Sequence, residues 1–380
     1  MALPPLHVRP AFSDLEYIAP YTEAALDGWR AAGDPLADEI VASLAAEGPL
    51  KGIHDLLGVV RARAEAGDAR CRQLLHDAST LPPWADLAAM EKGQRMIASY
   101  APFMAASLFS GSLVGGAMFY KAALVTAMTG MFASKPTQRL VETTAMVTRM
   151  AMPGSIAPGG EAHEVFLRVR LLHAGLRRFL VDSGRFRHGS EVPINQQDLA
   201  ITLGLFCYVN IRNLLQLGIR LDRAQIDSFL LLWRYAGHVL GIDAALLPAT
   251  IEDQQAFYLS SCKHQVRPEK VMPQTKTLLD AVAKQAKLVP YPIARTFLHQ
   301  VTRYLSGDDY ITGMELEDRG DYYGVRGLRY LGRAVSLAHR LPLGERIFYR
   351  AGVQVYRREL ARNERKKRYH YRVQTHERAA

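Results

Sequence analysis

The segment RVRLLHAGLRRFL (168–180) sets one histidine and four arginines in an otherwise apolar run. On a helix, Phe166, Val169, His173, Leu176 and Leu180 recur at intervals of three and four, so they share one face. His173 therefore sits within an apolar stripe. A neutral imidazole needs a partner for each ring nitrogen, and a metal is one such partner. Arg170 and Arg177, at i−3 and i+4, flank the same face. Two cations beside a histidine on a greasy surface suit a cofactor with an apolar plane and acidic edges. Haem b has that character, with an iron that accepts an axial imidazole and two propionates. The same pattern also describes a hydrogen-bonded core histidine, with the arginines paired to Glu161, Glu164 or Asp182 on the surface.

A second constellation lies in TQRLVETTAMV, where Arg139 and Thr143 stand at i and i+4 on one helical face. A hydroxyl beside a fixed cationic fork could polarise a bound oxygen species or hold a propionate. The alternative is an arginine paired with Glu142 and a threonine hydrogen-bonded to its own backbone. The cluster EAHE offers Glu161, His163 and Glu164 to a non-haem metal, but successive helical positions do not all converge on one ion. His238, in YAGHVLGI, is the reserve iron ligand should His173 fail.

These residues need helices to place them, and the chain is long enough to supply a sizeable core, with 380 residues. Hydrophobic residues make up 49% and charged residues 22%, which argues against a wholly disordered chain. Cys71, Cys207 and Cys262 are widely spaced and form no CxxC pair, so a disulfide framework or a zinc–thiolate site is not expected. The opening MALPPLHVRPAF has no basic stretch before an apolar core, so no secretory signal is read and a cytoplasmic location is expected. The net charge of +10 is concentrated late: RRELARNERKKRYHYR (357–372) holds eight Lys/Arg against two Glu. Such a run is a solvated helix end or a contact for an anionic membrane surface. Without a recognised binding motif it does not imply a nucleic-acid partner. The uncharged stretch Met96 to Tyr120 is long enough to span a bilayer, yet Pro102, Gly111, Gly115 and Gly116 interrupt it, and a buried core helix is the preferred reading.

Strand-like alternation is scarce, and neither a βαβ pattern nor an internal repeat is found. The expected fold is all-α, a single large helical domain. Residues 1–80 form a peripheral helical region, 81–345 the main domain and 346–380 a basic helix and tail. LPPWADL (81–87) marks a break and a new helix start. A helix begins near Pro136, and PGSIAPGGEAHE (153–164) is a loop that delivers the chain to the His173 helix. Asn195 is the expected N-cap of the next helix, with Asp198 in its first turn. SFLLLWRYAGHVLGI (228–242) reads as a strongly apolar helix, and the more polar region from about Ile251 is broken at Pro290 and Pro292.

Six stretches taken in order, LPPWADLAAMEKGQRM, LVTAMTGMF, RLVETTAMV, RVRLLHAGLR, VPINQQDLAITLGLF and LLWRYAGHVLGI, resemble the latex-clearing protein (rubber oxygenase) and MpaB-type oxygenase family. The resemblance covers roughly residues 81 to 245. It implies a globin-like haem b protein that inserts dioxygen into carbon–carbon double bonds of polyisoprene or isoprenoid chains. By motif, His173 matches the proximal iron ligand, and Arg139 and Thr143 match the family's Arg-xxx-Thr pair. Two departures stand out. Rubber oxygenases carry a glutamate ahead of that pair where ungapped counting places Ala123. Some carry a lysine before the threonine where this chain has Glu142.

The resulting expectation is a haem b-dependent, dioxygenase-type oxidoreductase for a small apolar, isoprenoid-like alkene. Ala123 and Glu142 motivate an alternative, a haem-binding sensor or carrier without turnover. A third reading drops the haem and leaves a helical protein that meets membranes through its basic tail.

Overall fold

A computed structural model of the chain describes residues 3–48, 55–128, 136–270, 274–285, 289–314, 316 and 323–365. Helix follows helix because capping side chains recur at the breaks. Asp34, Asp55, Asp68, Asp86, Asn195, Asp222 and Thr250 each accept a hydrogen bond from a backbone N–H in the first turn of the helix they open. The first group is α1 (Glu23–Arg30), α2 (Pro35–Glu47), α3 (Leu56–Glu65), α4 (Ala69–Ser79) and α5 (Leu87–Ser99). Then come α6 (Ala101–Ser107), α7 (Leu113–Met118), α8 (Tyr120–Met128), α9 (Pro136–Met150) and α10 (Glu161–Asp182). The chain continues as α11 (Gln196–Phe206), α12 (Tyr208–Gln216), α13 (Arg223–Val239) and α14 (Ile251–Gln265). It closes with α15 (Gln274–Gln285), α16 (Tyr291–Ser306), α17 (Tyr323–His339) and α18 (Gly344–Arg365). Among the described residues there is no strand, only an isolated bridge between Phe119 and Val266. The all-helical expectation is met.

The centre of the packing is α5 laid along α13, with α18 against α5 as well. Glycines set the closeness. A Cβ at Gly93 would stand 2.6 Å from the Ser228 carbonyl oxygen of α13, and one at Gly352 would stand 1.8 Å from that of Ala98. α10 packs on α2 and also touches α3, α9 and α13. One apolar cluster runs from Leu15 to Tyr356, so the early helices and α18 share the core of the central part.

The uncharged stretch is broken into α6, a π-helical turn at Leu108–Ser112, and α7. The turn brings Gly111 so near Asn213 that a Cβ would meet its Nδ2 at 2.1 Å. Ser107 donates to Asn210 Oδ1 at 2.6 Å and accepts from Asn213 Nδ2 at 3.0 Å, a polar knot inside the apolar packing. Two segments, Ala101–Met118 and Gln196–Gln216, are long and apolar enough to cross a membrane by length and composition, and 61% and 83% of their residues are buried in the fold.

Candidate functional site

Burial divides α10 lengthwise. Phe166, Leu167, Arg170, Leu171, Ala174 and Arg177 are buried, facing the packed side. Val169, Leu172, His173, Leu176 and Phe179 are only half-buried. At 100° per residue these five fall in one sector, with His173 at its edge; Ala162, Val165 and Leu180 share the sector but are buried. The sector is apolar apart from His173. At its far end Phe179 packs beside Val125, Met128 and Leu180, which brings in α8. α9 runs alongside, tied to the start of α10 by Arg149 and Glu161 at 3.8 Å. A half-open apolar wall bearing one imidazole matches what a haem plane and its axial ligand require. Among the described residues no three His, Cys, Asp or Glu side chains gather as a metal-only site would need, whereas haem iron takes a single protein imidazole. His173, one imidazole beside half-buried apolar side chains, is the residue that would hold such a group.

Arg170 and Arg177 take a different place from the one their spacing suggested. Both turn from the half-open sector toward α2. Arg170 grips Asp34 with two hydrogen bonds, Nε to Oδ2 at 2.6 Å and Nη2 to Oδ1 at 2.9 Å. Arg177 donates to Asp38 Oδ1 at 2.7 Å and to the Ile194 carbonyl at 3.1 Å. The expectation that they meet a cofactor's acidic edge is corrected accordingly: the pairs clamp α10 to α2. Both arginines are nearly inaccessible, and an unpaired buried cation would be far costlier than the clamp. Asp34 and Asp38 were not singled out from sequence. Their only local signal is the i, i+4 spacing on α2 that matches two arginines seven apart on α10.

Thr143 is half-buried on α9, and its neighbours Thr144, Met146 and Val147 are half-buried too. Arg139 lies on the same helix, but its side chain is outside the described residues. Glu142 is 5% exposed and Ala123, on α8, is 8% exposed. Where the family resemblance leads one to look for a carboxylate, this chain has a buried methyl group.

The EAHE residues part company. Glu161 turns to Arg149, Glu164 to Arg61, and His163 is buried with Nε2 against the Ala78 carbonyl at 2.9 Å. His163 is a hydrogen-bonded core histidine. His238 Nε2 faces the Asp77 carbonyl at 3.3 Å, and burial lowers its pKa. All three cysteines are buried, and burial raises their pKa values, that of Cys71 to about 11, so none offers a thiolate at neutral pH.

Behind the site the stretch NQQD (195–198) forms a polar knot. Asn195 caps α11 by accepting from the Asp198 N–H at 3.0 Å, as its position predicted. Gln196 donates to the Gly33 and Gly241 carbonyls at 2.8 and 3.0 Å and accepts from the Asp243 N–H at 2.9 Å. Arg30, 1% exposed, reaches Asp198 at 3.0 Å and Glu191 at 2.9 Å. This motif is scaffold: it ties the start of α11 to the ends of α1 and α13.

The fold and site define an all-helical protein with His173 at the edge of a half-buried apolar helix face. The chain belongs to the family described as "ER-bound oxygenase mpaB/B'/Rubber oxygenase, catalytic domain", which matches residues 102–337. The rubber oxygenase of Streptomyces sp. (strain K30) is 24% identical over 231 residues, 57% of this chain and 55% of that protein. The chain thus spans about half the length of this curated relative. The solved structure of latex clearing protein LCP in the closed state matches 92% of this chain and 96% of its own with a TM-score of 0.63 at 18% identity, a likeness of fold.

Proposed function

We propose that this protein is a haem b-dependent oxygenase for an apolar alkene, with His173 as the residue that would hold the haem. The observation that carries the reading is the position of His173 at the edge of the half-buried sector formed by Val169, Leu172, Leu176 and Phe179. Membership of an oxygenase family supports it. Haem iron, when bound, supplies the dioxygen chemistry. The chain's own residues do the rest. The imidazole of His173 would hold the cofactor through one nitrogen. Leucines and Phe179 exclude water and offer a lipid-like substrate an apolar wall. Thr143, half-buried on α9, would supply a hydroxyl that can donate or accept a hydrogen bond, and Arg139, by the family motif, would supply a cation.

The test is incubation of haem-loaded protein with isoprenoid alkenes of increasing length, in air and under anaerobic conditions. Carbonyl products that form only in air support the reading. Full haem occupancy without oxygen uptake on any alkene overturns turnover.

Buried Ala123 favours a second reading, a haem-binding carrier, because it leaves no carboxylate at that point of α8 to accept a proton. Restoring the acid as Ala123→Glu separates the two. A gain of oxygen uptake in this variant over an inert wild type supports the carrier; an active wild type excludes it.

A further inference from the structure

Away from α8, α9 and α10, the N-terminal segment, the end of α12, the end of α16 and α17 line a trough. It consists of two adjoining hollows of about 370 and 360 Å³, which share His7, Leu215 and Arg329. Five arginines line it, Arg9, Arg220, Arg303, Arg329 and Arg333. The one carboxylate that lines it, Asp308, is held by Arg303 through two hydrogen bonds of 2.8 and 3.0 Å. The trough is therefore strongly positive.

Some of this charge has a structural use. Arg9 Nη1 and Arg212 Nη2 both donate to the Leu305 carbonyl, at 3.0 and 3.2 Å, and so satisfy the C-terminal end of α16. Gly307, with φ of +85°, lets Arg9 lie against the backbone, since a Cβ there would stand 2.1 Å from Nη2. The rest is unaccounted for by folding. The Nε atoms of Arg9 and Arg329 are buried without a hydrogen-bond partner among the described residues. Burial lowers the pKa of Arg9, and nearby Arg212 lowers it further. Arg329 is steadied by the ring of Tyr304, 5.8 Å from its guanidinium carbon, which orients a donor fork without consuming its N–H groups.

Five arginines lining the trough, with Asp308 the single carboxylate among its described lining residues, call for an anion with several acceptor oxygens, and phosphate matches the planar fork best. We propose that this trough binds a phosphate-bearing ligand, either a free phosphate or diphosphate or the phosphate of a lipid headgroup. The site is independent of the haem reading, because none of its residues lies on α8, α9 or α10.

The experiment is calorimetric titration of the full chain at low salt with sodium pyrophosphate and, separately, with monomeric dihexanoyl phosphatidic acid. Variants Arg329→Gln and Arg333→Gln alter the trough, and Arg326→Gln, exposed on α17 and outside it, is the control. Wild type is expected to bind at least one probe saturably and more weakly as salt rises. Arg329→Gln should weaken binding by about tenfold or more, because charge-assisted hydrogen bonds are lost, while Arg326→Gln leaves it unchanged. Tighter binding of pyrophosphate identifies a free anion, and tighter binding of the lipid identifies a headgroup. Should Arg329→Gln fail to fold, exposed Arg333→Gln gives the same reading. Absence of saturable binding to either probe, or affinity unaltered in folded trough variants, overturns the proposal.

Discussion

Arg170 and Asp34 meet in a buried two-pronged ion pair, and Gly241 closes over both: a Cβ on Gly241 would stand 2.4 Å from Arg170 Nε and 2.4 Å from Asp34 Oδ2. Residues 136 positions apart thereby fix how α10 lies on α2, and with it the direction in which His173 faces. Asp34→Asn keeps the shape but strands a buried cation. It should destabilise the fold by about 3–5 kcal/mol, read as a lower urea midpoint.

Gly241 adopts a φ of +78°, the left-handed region. Gly241→Ala brings both backbone strain, about 1–2 kcal/mol, and a clash with the ion pair. Its loss in thermal unfolding should therefore exceed that of Gly67→Ala. Gly67 shares the positive φ, at +105°, but has open space around it.

Glu191 predicts an acid limb. Partial burial pushes its pKa up, but hydrogen bonds from Arg30 and Lys121 outweigh this and bring it down to about 2. A depressed folded pKa gives stability that is complete above the unfolded value, about 4.3, and is lost as pH falls through the folded one. Glu191→Gln should lower stability at neutral pH and shrink the loss between about pH 5 and pH 2 in urea titrations. An unchanged acid limb would show that other carboxylates dominate it.

Gln94 pins the loop that leads into α10. Its amide nitrogen donates to the Met150 and Met152 carbonyls and to Ser155 Oγ, at 2.7, 2.8 and 2.9 Å. Gln94→Leu leaves these buried acceptors without their donor. A loss of about 1–3 kcal/mol is expected, with faster amide exchange in residues 151–160.

Helix starts were largely legible in the sequence, because caps are local. Asn195 and Pro136 stand where their types foretold, and the helix start read at LPPWADL is α5, capped by Asp86. Pro290 and Pro292, read as a break, introduce α16 with a proline in its first turn, where the missing N–H is no loss. The polar composition after Ile251 hides a buried helix: Gln254, Gln255, Ser260 and Ser261 of α14 are all buried, some bonded to distant segments such as Pro4 and Ile18. The roles of Arg170 and Arg177 were not legible for the same reason. Spacing shows which residues share a face, whereas partners on α2 are fixed only when the chain folds back on itself.

The central claim is tested most directly by the ultraviolet–visible spectrum of the purified, haem-supplied protein and two variants. The account predicts a Soret band in wild type, its loss or collapse to free-haem character in His173→Ala, and its retention in His238→Ala. A wild type that takes up no haem, or a His173→Ala variant with the wild-type spectrum, would contradict it.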